Sequence, residues 1–165
     1  MARVLQIVER NKASLGIRFL NSILDLMALM VINIILAFIA GFLYEVTGAG
    51  VFDFYLNGGK LWDLVIGNIV FFVYYLLMEY YTGGRTIGKY ITGTGAIGVD
   101  GSRLDFNKAL YRSLSRLVPF DGLSFFGTNG WHDSWSDTRV VNLKNYENAK
   151  KLEIDLDSIG TKESF

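Results

Sequence analysis

Two long apolar segments, residues 15–44 and 61–81, restrict the fold of this chain more than any other feature of its sequence. As α-helices they would rise about 1.5 Å per residue, so each reaches or exceeds the roughly 30 Å hydrocarbon core of a bilayer. A water-soluble domain of similar size instead alternates apolar and polar residues to make both a core and a surface. The two segments therefore predict an integral membrane protein with a hairpin of two spanning helices, over about residues 17–43 and 61–81.

Basic residues flank the two segments unequally. Residues 1–14 form a basic lead-in with one acidic residue, and the loop between the segments has only Lys60. The stretch after the second segment is again basic, with Arg85, Lys89, Arg103, Lys108, Arg112 and Arg116. Because short loops rich in Lys and Arg stay in the cytoplasm, both termini are predicted to be cytoplasmic and the connecting loop external.

The chain beyond the second segment is rich in glycine and carries a turn signal. Asp100–Gly101 follows the semi-extended stretch Tyr90–Val99, which predicts a small cytoplasmic β-hairpin. A helix capped by Asp105 or Asn107 is expected next. Its basic residues share one face, namely Lys108, Arg112 and Arg116. This pattern predicts an amphipathic helix that lies on anionic lipids of the inner leaflet.

The predicted fold class is therefore an all-α membrane protein. It combines the two-helix transmembrane hairpin with the cytoplasmic glycine-rich β-hairpin and the amphipathic interfacial helix, all within residues 15–141. Residues 142–165 are charged and nearly free of aromatic side chains, so they are predicted to form a cytoplasmic tail.

Composition excludes several classes of function. The net charge is zero, which gives no reason to expect a nucleic-acid partner, and there is no cysteine and one histidine, His132. Gly83–Lys89 resembles a phosphate-binding loop, but Tyr90 replaces its hydroxyl residue and a membrane helix precedes it instead of a strand. We therefore expect no metal, no cofactor and no enzymatic activity; a lipid enzyme built on His132 and Asp133 would lack a complete catalytic set.

Asp25 lies well inside the first apolar segment, where an ionised carboxylate without a partner is destabilising by several kcal/mol. Arg18 is on about the same helix face but roughly 10 Å away along the axis. The sequence leaves the partner of Asp25 open among Arg112 or Arg116 folding back, Asn68 on the second helix, or another subunit. It also leaves open whether Asp25 is an ion or proton site or a structural clamp.

Three segments in order carry a resemblance to a known family: GIRFLNSILDLM, YYLLMEYYTGGRTIGK and RSLSRLVPFDGL…WHDSWSDTRVV. Over about residues 14–141 the chain resembles the RDD family of membrane proteins, named for an arginine and two aspartates. The resemblance implies that Arg18, Asp25 and Asp133 are these residues. It adds a supporting motif of Glu79, Gly84, Thr86, Gly88, Lys89, His132, Thr138 and Val140. Many relatives have a third hydrophobic segment, whereas Ser113–Gly130 is polar and interrupted here. The number of membrane spans is therefore left open between two and three.

The resemblance implies a bacterial inner-membrane protein with a suggested part in transport. In one hypothesis, a homo-oligomer or a complex with other membrane subunits moves an ion or small solute past a polar site of Arg18, Asp25 and Asp133. In the other, the chain is a non-catalytic accessory or scaffold subunit, and the same residues form a buried network that fixes helix packing.

Overall fold

The computed structural model describes residues 5–118 and 131–160. Its elements in chain order are α1 (Gln6–Arg10), α2 (Leu15–Thr47), α3 (Gly50–Asn57), α4 (Lys60–Tyr81), α5 (Ile87–Thr92), β1 (Thr94–Gly98), α6 (Phe106–Ser115), α7 (Trp131–Trp135), β2 (Thr138–Asn142) and α8 (Leu143–Gly160). Two helices, α2 and α4, are long and apolar enough to cross a membrane, which agrees with the two predicted spans.

Local sequence sets the ends of α2. The Ser14 side chain accepts a hydrogen bond from the Ile17 amide at the start of the helix, and Gly48 ends it in the left-handed conformation with φ of 65°. The helix therefore continues past the predicted limit at residue 43, because no residue before Gly48 breaks it. The connecting loop contains the short helix α3.

Most apolar side chains of α2 and α4 point away from the rest of the chain. Phe38 is 76% exposed and Leu61 is 81% exposed, as expected for helices surrounded by lipid. The two helices pack against each other through a cluster centred on Leu29, Tyr74 and Tyr75.

The sheet has two antiparallel strands, but its pairing corrects the predicted β-hairpin. β1 pairs with β2, with Ala96 opposite Val140, instead of pairing with the residues that follow it. The turn at Asp100–Gly101 does form, since the Gly101 amide donates to Gly98 O at 2.9 Å. The chain then enters α6 because Asp105 caps that helix, accepting from the Lys108 amide at 2.8 Å. The first part of the stretch predicted as extended is helical as α5.

All the remaining elements pack at the end of the hairpin where α2 begins and α4 ends, and we call them the cap: α1, α5, β1, α6, α7, β2 and α8. Val8 of α1 and Tyr146 of α8 share an apolar cluster with Ile97 and Val141 of the sheet. The basic lead-in and the start of the charged tail thus belong to one folded unit with the sheet. Residues 119–130, where a third span was left open, lie outside the described residues.

Candidate polar site at one end of the helix hairpin

Asp25 is buried, and neutral donors from two other helices satisfy it. Its Oδ1 accepts from the Tyr74 hydroxyl of α4 and from the Gly88 amide of α5, both at 2.8 Å. Its Oδ2 accepts from the Thr86 hydroxyl at 2.7 Å. One carboxylate therefore joins α2, α4 and the start of α5.

These contacts overturn the partners considered for Asp25 within the chain. Arg112 and Arg116 bind other carboxylates, and the Asn68 side chain donates to Leu64 O of its own helix at 2.7 Å. The donors of Tyr74 and of a backbone amide were missed because neither leaves a charge pattern in the sequence.

Glycine at position 88 makes the approach to Asp25 possible. A Cβ atom there would lie 2.4 Å from Asn21 O and 3.1 Å from Asn21 Cα, both backbone atoms of α2. Only a residue without a side chain lets α5 lie this close to α2. Asn21 itself bonds to Thr92 at 2.6 Å and Thr94 at 2.9 Å, which fixes α2 to the entry of β1.

Asp133 of α7 is fully buried between two arginines. Its Oδ2 forms an ion pair with Arg18 Nη2, and its Oδ1 lies 2.6 Å from Arg112 Nη1. His132 Nε2 lies 3.6 Å from the same carboxylate, and Thr138 accepts a hydrogen bond from Arg112. The structure therefore places Arg18 and Asp133 together, although 114 residues separate them in the chain.

Glu79 of α4 is also fully buried and contacts three cations. Lys89 Nζ lies 2.6 Å from Oε1, Arg116 Nη2 lies 2.8 Å from Oε1, and Arg112 Nε lies 2.8 Å from Oε2. Arg18 pairs with Asp133 instead of with Glu79. Glu79 is an internal anchor of the cap and not an interfacial residue.

Arg112 connects the two carboxylates, and its position corrects the lipid-facing prediction for α6. Its side chain is fully buried, with Glu79 on one edge of the guanidinium and Asp133 on another. Arg112 and Arg116 turn inward because burying two carboxylates without cations would be strongly destabilising. Lys89 is buried for the same reason, since it pairs with Glu79.

We define the charge network as Arg18, Glu79, Lys89, Arg112, Arg116 and Asp133. Burial by itself would raise the pKa of Asp133, but His132, Arg112 and Arg18 together hold it well below its ordinary value. Burial lowers the pKa of Lys89 to about 8, since the attraction of Glu79 does not fully compensate and Arg112 and Arg116 add repulsion.

A cavity of about 20 Å³ lies beside this network, and we call it the network cavity. Its walls are Arg18, Asn21, Ser22, Asp25, Lys89, Arg116, His132 and Val140. This volume accommodates a single water molecule or a single small ion. Arg18 and Asp25 both line it. Asp133 is not among the lining residues, but it forms an ion pair with Arg18.

Gly84 of the motif, like Gly88, allows two parts of the backbone to lie close together. Gly84 has a φ of +101° and lies so close to β1 that a Cβ would be 2.1 Å from Ala96 O.

Asn21 is a polar residue of the site that the sequence did not single out. It lies one turn before Asp25 and about one turn after Arg18, so the three polar residues on this face of α2 were a signal that could have identified it.

Comparison with protein families gives a match over the part of the chain that contains this site. The model of the RDD family matches residues 12–141, a range that contains every residue of the charge network and Asp25. Searches of curated proteins and of solved structures each found no match to this chain. Because the family match covers most of the sequence, the chain belongs to the RDD family of membrane proteins.

Proposed function

We propose that this protein takes part in the transport of an ion or small solute, as an oligomer or with partner subunits, through a polar site around Asp25. The observation that carries the proposal is the network cavity, which has Asp25 in its wall at one end of two apolar helices. Charged groups at such positions commonly mark ion or proton pathways in membrane proteins.

The amount of buried charge supports a role beyond holding helices together. Replacing buried ion pairs by well-packed apolar residues is often neutral or stabilising, so a purely mechanical joint does not require them. Here four cationic side chains are gathered around two buried carboxylates, and a polar cavity lies beside them.

Two helices enclose no pathway by themselves, so the proposal requires additional subunits. Asn68 favours a second copy of the chain, because this side chain is exposed on α4 and its amide bonds only within its own helix among the described residues. An exposed carboxamide inside a bilayer is stabilised when it hydrogen-bonds to a neighbouring helix.

The proposed location is the bacterial inner membrane with both termini in the cytoplasm. The cap carries exposed basic residues, among them Arg103, Lys144 and Lys150, at the end of the hairpin assigned to the cytoplasm. Anionic lipid headgroups would attract these residues, in place of the buried Arg112.

The accessory or scaffold hypothesis is favoured by a different observation. Both oxygens of Asp25 are occupied by donors from α4 and α5, which is the geometry of a fixed clamp. In this alternative the cap presents a surface to a larger membrane complex, and the chain moves nothing across the bilayer.

Flux from proteoliposomes separates the two proposals. Purified protein would be tested under sodium, proton and chloride gradients, beside Asp25→Asn and the control Asp63→Asn, which changes an exposed acid in the first turn of α4. Transport predicts flux in the wild type and the control that is lost in folded Asp25→Asn. No flux from intact, correctly inserted wild type contradicts transport and favours the accessory role.

A further inference from the structure

We infer that the network cavity binds a small monovalent anion of the chloride class. The inference adds the identity of the ion to the proposed function. Only the claim that this ion is transported rests on that function. Binding itself can be measured without any flux.

The charges on the cavity wall favour an anion. Among the described residues that line it, Arg18, Lys89 and Arg116 are cationic and Asp25 is the one carboxylate, which is a formal excess of two positive charges. Even with Glu79, Asp133 and Arg112 included, four cations face three carboxylates. An uncompensated buried charge is destabilising, and a bound anion would neutralise it.

Arg116 supplies an unused donor at this position. Its side chain is 9% exposed, its Nη2 binds Glu79, and its guanidinium lies 4.1 Å from the centre of the Tyr75 ring. Its Nε is buried and has no hydrogen-bond partner among the described residues. Since a guanidinium only donates, an acceptor bound in the cavity that Arg116 lines would suit this group.

The size and the donor set exclude the other simple occupants. A cavity of about 20 Å³ matches the size of one chloride or one water better than that of a phosphate or a carboxylate. A cation would face three positive side chains, and three hydrogen bonds already engage Asp25. Water supplies an acceptor but no negative charge, so it leaves the excess uncompensated.

The test is the melting temperature of the purified full chain as a function of anion, at constant sodium concentration and ionic strength. Chloride or bromide replacing gluconate should raise Tm by about 2–4 °C and the effect should saturate. Arg116→Gln should weaken half-saturation about tenfold or more, because it removes a charged donor. Arg103→Gln makes the same charge change at an exposed position of the cap and should leave the response intact.

Bromide located by anomalous scattering in crystals of the wild type decides the case if Arg116→Gln does not fold. Density in the cavity supports the site. Equal Tm responses to chloride and gluconate, or a crystal with water only, overturn it. Anion binding without flux would keep the site and remove transport, whereas flux without anion binding would keep transport and remove the site.

Discussion

The two ends of the helix hairpin are stabilised in different ways. At the cap end, α2, α4, α5, α6 and α7 meet through buried charges and hydrogen bonds around Asp25, Glu79 and Asp133. At the loop end, large side chains such as Phe38 and Leu61 are exposed, and the polar contact of α3 is a local bond from Asn57 to Asp53. The cap end is thus held by the chain itself, whereas the loop end depends on lipid or on other subunits.

The largest expected effect comes from breaking the centre of the charge network. Arg112→Met leaves Glu79 and Asp133 buried without the guanidinium that joins them, and should lower the free energy of unfolding by about 3–5 kcal/mol. Unfolding in mixed micelles, followed by tryptophan fluorescence, measures this loss.

Arg103→Met is the matched control for this change, because Arg103 is exposed. It should alter the free energy of unfolding by less than about 0.5 kcal/mol. Equal stabilities of the two variants would show that the network contributes nothing to the difference between the two ends.

The second largest effect is expected from acid, which should lower the stability of the cap end. The pKa of Asp133 is lowered in the folded chain, so its stabilisation is complete above the ordinary aspartate pKa and is lost as pH falls towards the folded value. Among residues 5–118 and 131–160, the charged or titratable groups that face it are Arg18 from α2, Arg112 from α6 and the adjacent His132.

Melting temperatures from about pH 5 down to about pH 2 measure this dependence, because the lowered pKa of Asp133 places most of the loss below the ordinary aspartate value. The wild type should lose stability steeply in this window, and Asp133→Asn, although less stable at neutral pH, should show a shallower slope. Parallel slopes would assign the acid sensitivity to other carboxylates.

A smaller effect is expected where α5 contacts α2. Gly88→Ala places a methyl group against the backbone of Asn21 and should cost about 1–3 kcal/mol by pushing α5 away from Asp25. Gly16→Ala tests the same exchange in α2, where nothing lies within 4 Å of the added atom. Thermal unfolding of both variants should show a loss for Gly88→Ala only; a loss for both would indicate a general intolerance of alanine.

The contrast between the two ends also explains what the sequence could predict. The spans follow from long, predominantly apolar runs, and the cap of α6 follows from Asp105, because both signals are local. The partners of Asp25 and the inward turn of Arg112 depend on groups far along the chain, including Asp133. The β1–β2 pairing was missed because Gly95 and Gly98 weaken β1 as a local signal, whereas its partner β2 lies beyond α6 and α7.

The smallest expected effect concerns the exposed face of α4 at Asn68. Asn68→Leu should leave the unfolding of the monomer nearly unchanged, since its amide bonds only to Leu64 O within α4. If a second copy contacts this face, association should weaken by about 0.6–2 kcal/mol through loss of an interhelical hydrogen bond. Energy transfer between labelled copies in vesicles, titrated with lipid, measures it, and Ile69→Leu is the control at the same depth. A similar loss of association in both variants would indicate that apolar packing, and not the amide, holds this contact. No change in either variant would place any contact between copies on another face of the hairpin.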